Sequence, residues 1–219
     1  MMADDFVVFI VDDDARMREA LVELLASYNI AAMAFETAGD YIGADKPNIP
    51  ACLVLDVELP DINGLDLQGR IVEGGEHPPI VFITGHGDIP SSVRAMKNGA
   101  MDFLTKPFSD ADVMGAIRSA ISRDRTDRAA RAEMSLLKQS YLGLTPRERD
   151  VLPLVVSGLL NKQAAAELGI SEVTLQVHRR KVMQKMGATS LAELVRIAQR
   201  IGIPLFDRRR AEGKSRAQT

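Results

Sequence analysis

The chain has 219 residues, 46% of them hydrophobic, and its 27 Lys+Arg against 30 Asp+Glu leave a net charge of −3, a length that fits one large domain or two modest ones. It turns acidic at once with Asp4 and Asp5 and holds no uncharged apolar run near the ~18 residues of a membrane span, which argues against a signal peptide and a transmembrane helix. The charge is unevenly spread. Residues 1–123 carry 9 Lys+Arg against 20 Asp+Glu, a net of −11, and residues 124–219 carry 18 against 10, a net of +8. An acidic half suits a cation and a basic half suits a polyanion.

In chain order, the first half alternates two kinds of segment. Phe6–Val11, Ile30–Phe35, Ala51–Leu55, Ile80–Ile83 and Met101–Leu104 are apolar runs of strand length. Between them lie helical patterns, such as Met17, Ala20, Leu21, Leu24 and Leu25. Five strands alternating with five helices predict a doubly wound α/β fold, a parallel sheet covered on both faces. Thr37 with Asp40, and Ser109 with Asp112, have capping-box spacing, with Asp in place of the usual Glu. Cys52, the single cysteine, lies in an apolar run and reads as a buried small residue in a reducing cytoplasm.

Ligands of such a sheet bind beyond the carboxyl ends of its strands. The predicted strands are followed there by Asp12-Asp13-Asp14, Asp56, Thr84 and Thr105-Lys106-Pro107. Carboxylates crowded together raise one another's pKa unless a cation joins them. A set of hard oxygens favours magnesium over zinc. A hydroxyl and an ammonium beside them suit a transferred phosphoryl group.

The segments Val11-Asp12-Asp13-Asp14, Leu55-Asp56-Val57-Glu58-Leu59-Pro60, Ile83-Thr84-Gly85-His86-Gly87-Asp88 and Phe103-Leu104-Thr105-Lys106-Pro107-Phe108 resemble the receiver domain of two-component response regulators, the last two its FixJ branch. The resemblance spans roughly residues 5–123 and implies a flavodoxin-like sheet. It implies that Asp56 accepts phosphate from a sensor histidine kinase. Magnesium would be held by Asp13, the Asp56 carboxylate and the Glu58 carbonyl, with Asp12 acting through water. Lys106 would pair with the phosphate, Thr84 and Phe103 would form the switch, and Lys106-Pro107 would be cis. Asp14 is peripheral in that pattern.

Residues 124–143 break the alternation. They are charged and Ala-rich, with Ala130, Met134, Leu137 and Tyr141 at helical spacing, and read as a helical linker. A linker of that length would let the acidic half mask the basic one. From Leu144 the pattern is all-helical. Thr145-Pro146-Arg147-Glu148 is a strong helix start, and further starts lie near Asn161, Ser171 and Ser190. The residues from 203 to 219 are polar and basic, and are expected to be a disordered tail in which Arg208-Arg209-Arg210 are solvated or meet phosphates.

Asn161–Leu168, a turn at Gly169-Ile170 and Ser171–Met186 form a helix-turn-helix pattern. On the second helix Leu175, His178, Val182 and Met186 share a core stripe, so His178 reads as a hydrogen-bonded structural histidine. Val173, Gln176, Val177, Arg180, Lys181 and Gln184 share the opposite, polar stripe. The last helix carries an apolar stripe of Leu191, Leu194, Val195, Ala198 and Ile201, which fits core, dimer contact or both.

Leu144 to Leu152, Gly158 to Lys162, Leu168-Gly169-Ile170-Ser171 and Val177-His178-Arg179 resemble the LuxR-type output domain of the FixJ and NarL regulators. This covers about residues 144–202 and implies an all-α four-helix domain that binds double-stranded DNA as a homodimer formed on phosphorylation, with RNA polymerase a further partner. Gln176, Val177 and Arg180 would face base edges, and Lys162, Thr174, Arg179 and Lys181 would meet phosphates. Many relatives have lysine where Gln176 stands. Glutamine suits adenine where lysine favours guanine. The whole then reads as a cytoplasmic transcription regulator rather than an enzyme. Two rivals stay open: an aspartyl phosphatase, which usually has an aspartate where Glu58 stands, and an RNA-binding antiterminator.

Overall fold

Five apolar runs become five parallel strands: β1 (Val7–Val11), β2 (Ala31–Phe35), β3 (Ala51–Asp56), β4 (Ile80–Thr84) and β5 (Asp102–Thr105). They form one sheet in the order β2-β1-β3-β4-β5. The computed structural model describes residues 6–75, 77–85 and 89–206, and the chain divides into two units, Met1–Ala129 and Ala130–Thr219. Among the described residues, no helix is long and apolar enough to cross a membrane.

Successive side chains of a strand face opposite ways, so both faces of this sheet must be covered. Val8, Ile10, Val54, Val81 and Ile83 pack with Leu21 and Leu25 of α1 (Ala15–Ser27) and with Val113 and Ile117 of α5 (Asp110–Leu142). Cys52 is buried in the same layer, as its place in an apolar run foretold. Val7, Phe9, Val11, Leu53, Leu55 and Phe82 pack on the other face, among Tyr41 of α2 (Ala38–Gly43), Leu65 and Leu67 of α3 (Gly64–Glu73) and Ala95 of α4 (Ile89–Lys97). Burial on both sides explains why the inner strands β1, β3 and β4 read as unbroken apolar runs.

Local chemistry starts the helices. The Thr37 hydroxyl accepts from the Asp40 amide, but the Asp40 carboxylate bonds that hydroxyl rather than a backbone amide, so this box is half made. The Ser109 box is complete: the Asp112 amide donates to the Ser109 hydroxyl and the Ser109 amide to the Asp112 carboxylate.

Two expected boundaries move. Asp124, assigned from sequence to a linker, is buried in the first unit. Its carboxylate accepts from the Ala51 amide at 2.9 Å and from Arg128 Nε at 2.7 Å, while Arg128 also donates to Asn48. The first unit therefore holds the chain beyond residue 123, and the segment expected as a separate linker helix is the continuation of α5. At the other end, Ile203 and Phe206 pack on the core of the second unit, and the Phe206 amide donates to Ser157 Oγ at 2.7 Å. The chain thus stays with the domain through 206 rather than leaving it at 203, because Ile203 and Phe206 have apolar surface to bury. Arg208, Arg209 and Arg210 lie outside the described residues.

The second unit contains α6 (Pro146–Val156), α7 (Asn161–Leu168), α8 (Glu172–Lys185) and α9 (Leu191–Arg200). Leu152, Leu175, Val182 and Leu194, each fully buried, anchor its core. Full burial of one such side chain is worth about 1.5–3 kcal/mol. The turn between α7 and α8 needs Gly169, whose φ of 63° is left-handed. On α9, Leu194 and Ala198 are core whereas Leu191 remains 37% exposed, so the expected apolar stripe is divided. Residues 130–142 are tied to α9 within this unit by Arg200, whose Nη2 lies 2.8 Å from Glu133 Oε2.

Candidate functional site

The strand order reverses between β1 and β3: from β1 the chain goes to β2 on one side and then returns to β3 on the other. The crevice at that switch point is where open α/β sheets bind ligands. It is lined just past β1 by Asp12 and Asp13 and at the end of β3 by Asp56, and one carboxylate oxygen from each of the three lies within 4.8 Å of the others. Asp12 and Asp56 are buried and Asp13 is exposed, so the cluster has a wet mouth and a dry floor.

Lys106, just past β5, closes the cluster. Its ammonium donates to Asp12 Oδ2 and to Asp56 Oδ2, both at 2.7 Å. The Lys106 amide donates to the Thr84 carbonyl at 2.7 Å, which ties the residue to the end of β4. The peptide bond to Pro107 is cis. Burial raises the pKa of Asp12, and the bond from Lys106 offsets only part of that rise. For Lys106, burial acts downward, yet its bonds to Asp12 and Asp56 outweigh it and the net shift is upward. The ammonium thus stays charged in a half-dry pocket because it neutralises two carboxylates.

Thr84 ends β4 fully buried, next to Thr105 in the sheet register. Phe103 is half-buried, its ring centroid 6.0 Å from that of Phe82. Glu58 is different. Its side chain is exposed, outside the carboxylate group, and its amide donates to Asp56 Oδ1 at 3.2 Å. Asp14 accepts from the Arg16 amide and caps α1.

Two residues of this site escaped the sequence reading. Arg18 reaches back from α1 and donates to the Asp12 and Asp13 carbonyls at 2.7 and 2.9 Å, holding the acidic loop in shape. Gly64 brings the start of α3 against the end of β3: a Cβ there would lie 2.2 Å from the Asp56 carbonyl oxygen. Its amide donates to the Val57 carbonyl at 2.8 Å. An Asn63-Gly64 pair in sequence suggests a turn or a helix start, but not a close approach to the Asp56 backbone. Arg18 carried only its one-turn spacing from Asp14.

The basic side chains gather on α8 and the start of α7. Gln176, Val177, Arg180, Lys181 and Gln184 are exposed, while Leu175, Val182 and Met186 are buried on the opposite side. Lys162 is exposed on the first turn of α7. Arg179 is half-buried and donates to Asn161 Oδ1 at 2.9 Å, a link between α8 and α7. Thr174 sits in the cap of α8, its hydroxyl 2.8 Å from that of Ser171. His178 lies on the inner side as expected, but its Nδ1 is buried with no hydrogen-bond partner among the described residues.

Comparison with known proteins agrees with this geometry. Residues 8–118 match the response regulator receiver domain, and residues 142–198 match the bacterial regulatory proteins of the luxR family. Nodulation protein W of Bradyrhizobium diazoefficiens is 47% identical over 90% of this chain and 87% of its own length. Transcriptional regulatory protein FixJ of Azorhizobium caulinodans is 41% identical over 94% of this chain and 98% of its own. The solved structure of response regulator StyR superposes with a TM-score of 0.80 at 44% identity, covering 89% of this chain and 98% of that one.

Proposed function

The chain belongs to the two-component response regulators that join a receiver to a LuxR-type DNA-binding domain, and from that premise we propose that phosphorylation of Asp56 by a sensor histidine kinase switches the receiver and controls dimerisation and sequence-specific binding to double-stranded DNA. The observation that carries this reading is the Lys106 ammonium held 2.7 Å from both Asp12 and Asp56 at the switch point of the sheet.

In the transfer, an Asp56 carboxylate oxygen attacks phosphorus, the phosphorus–nitrogen bond of the kinase phosphohistidine breaks, and the leaving imidazole nitrogen takes a proton. There is little covalent work for the protein beyond positioning and charge neutralisation. Lys106 supplies one positive charge, moving its bond from Asp56 to a phosphoryl oxygen. The all-oxygen donor set fits Mg2+, which Asp13, Asp56 and the Glu58 carbonyl would hold, with Asp12 through water. When bound, the ion neutralises the remaining charge on the phosphoryl oxygens. Thr84 then turns its hydroxyl to the phosphoryl group, and Phe103 follows it inward as the switch. Phosphorylation adds charge and strong acceptors at one point, and the switch turns that local change into a surface change.

Gln176, Val177 and Arg180 of α8 face base edges, while Thr174, Arg179 and Lys181 of α8 and Lys162 of α7 contact the sugar-phosphate walls. The protein acts in the cytoplasm, with RNA polymerase as the machinery it influences. Acetyl phosphate with magnesium should label the chain once, and Asp56→Asn should abolish the label while circular dichroism stays unchanged. Undiminished labelling of the folded variant would mean that the acceptor has been misassigned.

A further inference from the structure

Resting on the base-reading role of α8, we propose that Val173 is a further specificity-determining residue, which recognises thymine through its C5 methyl group.

The helix α8 starts at Glu172 behind the Ser171 cap, so Val173 lies in its first turn. In helix-turn-helix proteins it is the N-terminal residues of the recognition helix that touch base edges. Val173 is nine residues before Val182, about 180° around the helix. Val182 is fully buried and Val173 is 72% exposed. One turn on, Val177 is 49% exposed on the same side. Neither valine belongs to the core of the output domain. Together they make a short apolar ridge between Gln176, Arg180 and Gln184.

Isolated apolar residues on a surface are ordinary and need no explanation. Two valines one turn apart on the outward face are a different case, because β-branched residues are poor helix formers and these two stand outside the core with about half or more of their surface exposed. An isopropyl group can neither donate nor accept a hydrogen bond. The apolar group that base edges present in the major groove is the thymine methyl, and that fixes the chemistry of the partner. Valine also suits the task entropically, since its single χ1 is already restricted in a helix. The neighbouring Gln176 amide matches adenine, and an A·T pair shows the adenine edge and the thymine methyl in the same groove.

The test uses the full chain with acetyl phosphate and magnesium, and a duplex selected from a random pool. Each thymine of the selected site is replaced in turn by deoxyuridine, which removes the methyl and leaves base pairing intact. At one position per recognition helix, this change should weaken binding about fourfold, the effect of one buried methyl. Val173→Ala should weaken the thymine duplex by a similar factor and bind thymine and uracil duplexes alike at that position. Val173→Thr, which keeps a methyl, should retain part of the discrimination. Thermal melting would confirm that the exposed substitutions leave the fold intact. If Val173→Ala weakens thymine and uracil duplexes equally at every position, or weakens neither, the proposal is wrong while base reading by α8 stands. If the full chain selects no duplex, base reading itself fails and the proposal falls with it.

Discussion

Glu148 offers a quantitative test of how the output domain is held together. Its buried carboxylate accepts from the Thr145 amide at 2.8 Å and from Lys185 Nζ at 2.7 Å, so one group caps α6 and ties it to the end of α8. The Lys185 ammonium, then the Thr145 amide, hold its pKa down to about 2 from 4.5. A depressed carboxylate stabilises the fold above its unfolded pKa and loses that stabilisation as pH falls through the folded one. The window is therefore about pH 4.5 down to about pH 2. A shift of this size corresponds to about 3 kcal/mol at most, and to roughly 2 once water around the partly exposed Lys185 is allowed for. Glu148→Gln keeps an acceptor for the Thr145 amide but removes the charge. Urea unfolding of wild type and variant should differ by about 1–2 kcal/mol at pH 7. The gap should close as pH falls from about 4.5 towards about 2. Other carboxylates titrate in both proteins and drop out of the difference. A gap that is constant with pH, or that closes around the ordinary glutamate pKa, would refute the argument.

Gly64→Ala places a Cβ 2.2 Å from the Asp56 carbonyl oxygen, so the end of β3 must shift. Labelling by acetyl phosphate should slow at least tenfold, and an unchanged rate in a folded variant would show that the contact relaxes without cost. Arg180→Ala should cost about 1–3 kcal/mol on the preferred duplex and relax preference at one base pair, whereas Lys181→Ala should weaken all duplexes alike and lower the salt slope by about one. Titrations on preferred and scrambled duplexes at several salt concentrations check both, and an exchange of the two phenotypes would mean that the face of α8 has been misassigned.

The sheet was legible because its chemistry repeats. The three inner strands β1, β3 and β4 are buried on both faces, so each appeared as an apolar run, and the polar residues that follow the strands lie at the same edge by the geometry of a parallel sheet. Asp12, Asp13, Asp56, Thr84 and Lys106 were therefore readable as one constellation before any fold was known. The faces of α8 were equally plain, since Leu175, Val182 and Met186 are buried where their period put them. Gly64 and Arg18 were not readable. Gly64 serves a close approach between backbones, which leaves no mark except the absence of a side chain. Arg18 serves two carbonyl oxygens, and backbone acceptors have no sequence signature.

The end of the receiver shows the same limit in a sharper form. By composition the chain changes character at residue 124, where charged residues and alanines begin, and a boundary was expected there. Yet Asp124 is 2% exposed and its carboxylate satisfies the Ala51 amide at the start of β3. A buried backbone donator without a partner is costly, and so is a buried carboxylate without a counterion. Here each problem answers the other, with Arg128 one helical turn on completing the charge balance at 2.7 Å. Charged residues in a sequence announce solvent only when they are considered one at a time. Asp124 and Arg128, four apart on a single helix face, form an ion pair that a strand 73 residues away makes useful, and that pairing exists only once β3 and α5 lie side by side.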